Sequence, residues 1–366
     1  MKRVLVIQPT LPSYRVDFFE RLSAALEAEG GALWVHYAAR DYLGVQAAKR
    51  LPDGAKLSEK LYWTKGLFKK TPLSAPLAPL KALLWAEVVI IPGHLHELEV
   101  ALSAGLSLLR GKRLIWWGSF PEEGRAKRQA RLWAAGRCDA IATYMPSQLM
   151  ALPPALRAKA RSLNNGLKPL SAPPLTPRLS ERPRAIAVIG RPSPKSRISP
   201  WLSSVAARWT GGPLELHLIG SSAEQLPPLS ELRLPANVSL KTHGYVEGEE
   251  ALLSILSRCR LSFYPGAIGL SLMEATRAGL PSLIAAPPAP HMPEVEAFEE
   301  GLTGRCFSDE RYPSARHEAW PEALESTLSD ERWLDQAQQR CLARAEAFST
   351  EVMAIQMYAL ITGLHP

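Results

Sequence analysis

Two short segments hold the residues best able to do chemistry. The first is Phe263-Tyr264-Pro265-Gly266-Ala267-Ile268-Gly269-Leu270-Ser271-Leu272-Met273-Glu274-Ala275, followed by Gly279-Leu280-Pro281. An apolar strand ends at Pro265, glycines mark a turn, and a helix begins near Leu270. Amides at a helix start lack intrahelical acceptors and carry the positive end of the dipole, so Gly269, Leu270 and Ser271 offer N–H groups to an anion. Gly266 and Gly269 let a phosphate come close to the backbone. Glu274 falls one turn into the helix, placed to accept hydrogen bonds from ribose or sugar hydroxyls. The plainer alternative is a strand, a turn and a helix with a surface glutamate.

The second segment is Val188-Ile189-Gly190-Arg191-Pro192-Ser193-Pro194-Lys195-Ser196-Arg197. Arg191, together with Lys195 or Arg197, would set two cations at the carboxyl end of a strand. Cations there can stabilise negative charge on an anionic ligand, although Gly-Arg read alone is a weak signal. In the first half, Thr10, Tyr14 and Arg15 follow the first candidate strand. Pro92-Gly93-His94-Leu95-His96 lies beyond another. A histidine at that place can touch a sugar or take a proton from a hydroxyl, which singles out His94 and, less strongly, His96. Packed or surface histidines are the alternative. Asp-x-Asp, Gly-x-Ser-x-Gly and Cys-x-x-Cys do not occur, which argues against metal-bound diphosphate, a serine-hydrolase elbow and a zinc ribbon.

The elements that must position these residues alternate. Apolar runs at 4–7, 33–37, 88–91, 114–117, 140–143 and 161–163 read as strands, with amphipathic helical patterns at 16–29, 95–109 and 125–135 between them. Residues 168–184 then carry five prolines and no period, which reads as a linker. The alternation restarts with strands at 185–189, 214–219, 238–240, 261–264 and 282–285. Strands separated by helices imply parallel sheets. The expectation is therefore α/β: two Rossmann-like doubly wound domains facing across a cleft, 1–167 and 185–348. The last helical stretch, within 349–366, would pack back on the first domain.

The chain has 366 residues, 46% of them hydrophobic, enough for two cores. No apolar run approaches the roughly 20 residues of a membrane span. Cys138, Cys259, Cys306 and Cys341 lie far apart, the pattern of a reducing cytoplasm rather than of a disulfide framework. Residues 1–180 carry 26 Lys and Arg against 13 Asp and Glu, and the remainder 17 against 22. The stretch 49–70 combines six lysines and Arg50 with Tyr62, Trp63 and Phe68. Lysines contribute about 1 kcal/mol each near an anionic surface, and Trp and Tyr suit its interface. Peripheral contact with the inner face of a cell membrane is thus expected, with an ordinary solvated basic face as the alternative. Arg125, Lys127, Arg128, Arg131 and Arg137 form a second basic run. No base-reading module is recognisable, so nucleic acid is not an expected partner.

The 263–275 segment is similar to the E-x7-E region of retaining glycosyltransferases of family 4, with Gly269, Leu270, Glu274, Ala275, Gly279 and Pro281 in register. Gly266 stands where the family has its first glutamate, and a Pro-Gly variant of the motif resembles this one. Gly190-Arg191 with Lys195 resembles the family's diphosphate-binding element. Leu218-Ile219-Gly220 and the stretch ending His243-Gly244-Tyr245-Val246 resemble its nucleotide-base contacts. Pro293-Glu294 and Gly301-Leu302-Thr303-Gly304 resemble the stretch that closes its donor site. Gln8 to Phe19 and Asn164-Asn165-Gly166 match the first half more loosely.

The resemblance, strongest over roughly 185–307, implies a GT-B fold and a retaining hexosyltransferase acting without a metal or cofactor. It implies a UDP- or GDP-sugar donor and a glycan or lipid-linked acceptor in cell-envelope or exopolysaccharide synthesis. Arg191, Lys195, Glu274 and His94 would act at the reacting centre. Gly190, Arg197, Gly220, Gly244, Tyr245, Pro265, Gly266, Gly269, Leu270 and Ser271 would hold the donor, and Thr10, Tyr14, Arg15 and His96 would meet the acceptor. A nucleotide-sugar-binding protein without transfer activity and a nucleotide-sugar epimerase are the alternatives.

Overall fold

The strand Val88–Pro92 is buried along its whole length, as expected of a parallel strand covered on both faces. It lies inside a seven-stranded parallel sheet. Its order is Lys56–Glu59, Ala32–Tyr37, Arg3–Ile7, Val88–Pro92, Arg113–Trp117, Ala140–Thr143 and Ala160–Ser162. A second parallel sheet has the order Val238–Thr242, Leu214–Ile219, Ala185–Ile189, Leu261–Tyr264, Ser282–Ala285 and Gly304–Phe307. Numbered along the chain, both begin 3-2-1-4-5-6, the doubly wound order. This computed structural model describes residues 2–38, 48–59, 62–63, 73–74, 80–93, 98–120, 124–171, 177–221, 232–287, 289–311 and 313–364.

The chain divides into two compact units, Met1–Lys168 with Phe348–Pro366, and Pro169–Ala347. In the first, side chains alternate across the sheet as the pleat demands. Val4, Val6, Val88 and Ile90 enter one core with the helices Val16–Ala28 and Thr350–Thr362. Leu5, Ile7, Val89 and Ile91 enter the core on the other face.

The return of the C-terminal helix is built in locally. The Ser349 hydroxyl accepts from the Val352 amide at 3.2 Å, and Gly363, with φ 76°, ends the helix in the left-handed conformation. Met353, Met357 and Ile361 are fully buried, each worth about 1.5–3 kcal/mol by transfer from water. A Cβ on Gly166 would lie 2.1 Å from the Ser349 carbonyl oxygen, so only glycine permits that crossing.

Within the two parallel sheets, two strands escape a reading by pattern. Lys56–Glu59 is a polar edge strand inside the basic 49–70 stretch, and Gly304–Phe307 is four residues long with a central arginine. Charged, short strands belong at sheet edges, where they discourage pairing with another chain, and they carry little apolar signal.

Candidate active site

In the second sheet the strands Ala185–Ile189 and Leu261–Tyr264 are neighbours although far apart in sequence. The crossovers on either side of them run in opposite senses. Ligands of doubly wound sheets bind beyond the strand ends at such a reversal. Residues 190–197 leave the carboxyl end of the first strand and residues 265–269 leave that of the second, so the two sequence segments converge there.

They touch through backbone. The Ala267 amide donates to the Lys195 carbonyl at 2.8 Å. A Cβ on Gly266 would lie 2.3 Å from that same oxygen and 2.8 Å from the Ser196 carbonyl. Position 266 is therefore glycine for lack of room. The 190–197 loop is braced by Ser196, whose hydroxyl donates to the Arg191 carbonyl at 2.8 Å and accepts from the Ser193 amide at 2.9 Å. Arg191 and Lys195 are exposed.

Arg197 is different. It sits at φ 54° before the helix Ile198–Arg208, and its guanidinium pairs at 3.0 Å with Asp309, whose side chain is 1% exposed. Burial pushes the Asp309 carboxyl up, but hydrogen bonds from Arg311 and the charge of Arg197 overrule it and hold it below the usual range. Asp309 carries no sequence signal, because nothing in its spacing marks it as the partner of a residue 112 positions earlier.

Beyond the turn, Gly269 caps the helix Leu270–Arg277, which ends at Gly279 with φ 68°. The first-turn amides of Leu270 and Ser271 have no carbonyl of their own helix to donate to. The Tyr264 hydroxyl, buried beneath, donates to the Ser271 carbonyl at 2.7 Å. Glu274 is paired with Arg277 at 2.6 Å, and Arg277 also reaches Glu249 at 3.1 Å. Arg277 and Glu249 were not among the expected site residues.

A neighbouring segment holds the turn. Met292 donates its amide to the Ile268 carbonyl at 2.8 Å, Ile268 donates to His291 Nδ1 at 3.4 Å, and His291 Nε2 bonds the Ala285 carbonyl at 2.8 Å. The buried Glu294 follows, its Oε2 3.9 Å from where a Cβ on Gly269 would be.

The remaining glycines expected on the donor side, Gly190, Gly220 and Gly244, form one knot. Gly190 donates to the Ile219 carbonyl at 2.8 Å and Gly220 to the Gly244 carbonyl at 2.6 Å. All three adopt positive φ: 151°, 86° and 62° for Gly190, Gly220 and Gly244. Tyr245 follows with 61% exposure, open to stack on a base. Pro265 is buried in the turn.

Just before Gly244, His243 Nε2 meets His217 Nδ1 at 2.9 Å with the rings stacked, and His217 Nε2 donates to Glu215 at 2.6 Å. Burial lowers both imidazole pKa values and that of His291. A folded pKa below the unfolded one, near 6.5, means the unfolded chain takes up protons first. Stability is full above about pH 6.5 and is lost as pH falls through that value toward the folded pKa. The unfolding midpoint, followed by circular dichroism, is expected to drop between about pH 6.5 and 5.5, and His243→Gln to flatten that drop. A midpoint level across this range would contradict the assignment.

In the first unit, Arg15 departs from the exposed position that contact with an acceptor would need. It is 5% exposed, with its guanidinium against Asn165 and Met353 Sδ and 5.6 Å from the Trp117 ring centroid. The residue joins the C-terminal helix to the sheet. Thr10 is buried too, donating to the Ala38 carbonyl at 3.3 Å, whereas Tyr14 is half-buried. His94 and His96 lie outside the described residues. The helix that follows, Leu98–Leu109, is fixed by a fully buried contact of Glu99 with His36 at 2.9 Å, which the spacing of those residues did not announce.

Solved structures match this architecture along the full chain. A glycosyltransferase from Rickettsia africae superposes with a TM-score of 0.65 at 10% identity, covering 100% of both chains. Anabaena HepE, solved with UDP-glucose, gives 0.62 at 13% identity with 100% of both chains covered. The lipopolysaccharide outer core galactosyltransferase WaaB gives 0.61 at 12% identity over 99% of each. The chain has the GT-B fold. Comparison with protein-family models and with curated protein sequences finds no match. In this GT-B chain the 190–197 and 265–271 segments occupy the switch point of the second sheet, with Glu274 on the adjoining helix.

Proposed function

We propose that this chain is a retaining glycosyltransferase that moves a hexose from a nucleoside diphosphate sugar to a glycan or lipid-linked acceptor. The observation that carries the reading is the convergence of the Arg191–Lys195 loop with the Gly266–Ser271 turn at one strand-order reversal. A diphosphate there meets two exposed cations and the start of a helix. Lys195, rather than the Asp309-bound Arg197, is the second cation on this reading. The UDP-glucose and UDP complexes of HepE favour uridine diphosphate.

In the transfer, the bond from the anomeric carbon to the β-phosphate oxygen breaks and the diphosphate leaves with the electron pair. The acceptor hydroxyl bonds to that carbon on the same face, and its proton passes to the departing phosphate. Arg191 and Lys195 offset the growing negative charge, a role for which no divalent metal is invoked. Glu274 takes hydroxyls of the ribose. A screen of the unfolding midpoint against UDP, GDP, ADP and their sugar conjugates tests this. A hundredfold excess over the dissociation constant adds about 2.7 kcal/mol of stability, so one nucleotide class should raise the midpoint visibly. If none does, the donor site is wrong; nucleotide binding with no release of UDP from UDP-sugar in any acceptor mixture would favour a binding protein.

Membrane contact belongs to the same proposal. Among the described residues, no helix is long and apolar enough to cross a membrane. Of the 49–70 stretch, 60–61 and 64–70 lie outside the described residues, while Arg50 pairs with Glu20 and Lys56 lies over the Trp85 ring. The basic helix Arg125–Gly136 adds Trp133, 64% exposed beneath Arg137. Co-sedimentation with phosphatidylserine vesicles should fall steeply as salt rises, and equal retention on neutral vesicles would defeat the idea.

A further inference from the structure

Glu300, Cys306 and His317 bring a carboxylate oxygen, a thiol sulfur and an imidazole nitrogen within 4.8 Å of one another. Among the described residues no other group of three His, Cys, Asp or Glu ligand atoms gathers in this way. We propose that these three residues form a binding site for zinc or a similar thiophilic divalent cation. The inference is independent of the transferase reading.

The three ligands are held by different pieces of one edge of the second sheet. Glu300 forms a bridge with Gly304, and the Gly301 amide donates to the Gly304 carbonyl at 2.8 Å, so a tight turn joins Glu300 to the strand that carries Cys306. Ser308, two residues past Cys306, bridges Ala319 and accepts from the Ser314 amide at 2.9 Å. That clasp draws the His317 loop back over the strand. The backbone around the site is therefore set before any ion arrives.

The donor chemistry fits zinc, which takes Cys sulfur, His nitrogen and carboxylate oxygen with a fourth position open to water. His317 is already oriented. Its Nδ1 lies 3.0 Å from the Ser314 hydroxyl, which leaves Nε2 on the side of Glu300 at 2.7 Å. A metal-bound imidazole characteristically gives its other N–H to an oxygen of this kind. Bonds of about 2.0–2.3 Å at tetrahedral angles separate ligand atoms by roughly 3.3–3.7 Å. The ion thus needs the His317–Glu300 contact to open by about 0.6–1 Å, and the Glu300 side chain is 53% exposed and able to swing. Cys306 supplies the soft ligand from beneath, buried at 7% exposure. A plain surface ion pair between Glu300 and His317 would need no thiol beside it, yet here the Cys306 sulfur lies within 4.8 Å of both the carboxylate oxygen and the imidazole nitrogen.

The test uses the full-length protein, freed of metal with chelator and kept reduced. One equivalent of Co²⁺ should produce a thiolate-to-cobalt charge-transfer absorption and the visible bands of tetrahedral cobalt, both bleached by Zn²⁺. Cys306→Ser should abolish the charge-transfer band. His317→Ala should weaken metal binding at least about tenfold, and Ser314→Ala, which removes only the outer oxygen, by roughly 10–100-fold as for other outer partners. Circular dichroism of each variant confirms folding, and Ser314→Ala serves should Cys306→Ser fail that check. Absence of the band at stoichiometric cobalt, its survival in Cys306→Ser, or undiminished binding in both His317→Ala and Ser314→Ala would overturn the site.

Discussion

Arg191→Ala is expected to cut the rate of sugar transfer by about 10²–10³-fold, the cost of removing one preorganised group aimed at developing transition-state charge. The ligand-free protein should unfold at the native temperature, because an exposed arginine on a loop contributes within about 0.5 kcal/mol. What should vanish is the rise in midpoint that the nucleotide produces in the native protein. Arg197→Ala makes the contrast. Its guanidinium faces Asp309, 1% exposed, and breaking a buried pair costs about 3–5 kcal/mol when nothing else compensates. Arg311, also 3.0 Å from Asp309, reduces that loss. So Arg197→Ala should lower stability first and affinity only as a consequence, whereas Arg191→Ala should spare stability. Release of UDP from the donor together with the unfolding midpoint separates the two. Equal loss of nucleotide binding in both, at native stability in both, would mean that Arg197 touches the diphosphate and that its tie to Asp309 opens on binding.

The contrast also marks where the sequence stopped being readable. Strand-to-helix alternation predicted the two α/β units because parallel strands buried on both faces, such as Val88–Pro92, must be apolar throughout. The Gly269–Glu274 register was visible for a similar reason: a helix start and a close backbone approach constrain residue types locally. Arg15 shows the limit. An arginine after a first strand reads as an acceptor-side residue, but its fate was decided by Asn165, 150 residues on, and by Met353 on a helix more than 300 residues away. The open choice between Lys195 and Arg197 has the same origin, since only Asp309 distinguishes them. Glu300, Cys306 and His317 are spread over 18 residues without a ligand spacing to announce them, and a strand, a turn and a serine clasp bring them together.

Gly266→Glu is expected to damage the protein rather than improve it, although it would put a carboxylate where the E-x7-E motif that this segment resembles has its first glutamate. A Cβ there lands 2.3 Å from the Lys195 carbonyl oxygen and 2.8 Å from that of Ser196. Both obstacles are backbone, so no rotamer change relieves them. The 190–197 loop must retreat, and the Ala267–Lys195 hydrogen bond of 2.8 Å goes with it. Overpacking of this kind costs about 1–3 kcal/mol, which for units of this size lowers the midpoint by about 2–4 °C per kcal/mol. The larger effect falls on transfer, because Arg191 and Lys195 ride on the displaced loop, and a misplacement of about 1 Å costs on the order of 10²-fold. Gly266→Ala is the control, with the same clash and no carboxylate. If steric exclusion governs, alanine and glutamate lose activity together. A Gly266→Glu protein that transfers faster than the native one, while Gly266→Ala is crippled, would show that the loop yields readily and that position 266 lacks a ligand rather than space. The expected outcome instead makes glycine 266 part of how this chain packs the 190–197 loop: the backbone of residues 195–196 occupies the volume that a carboxylate side chain would need.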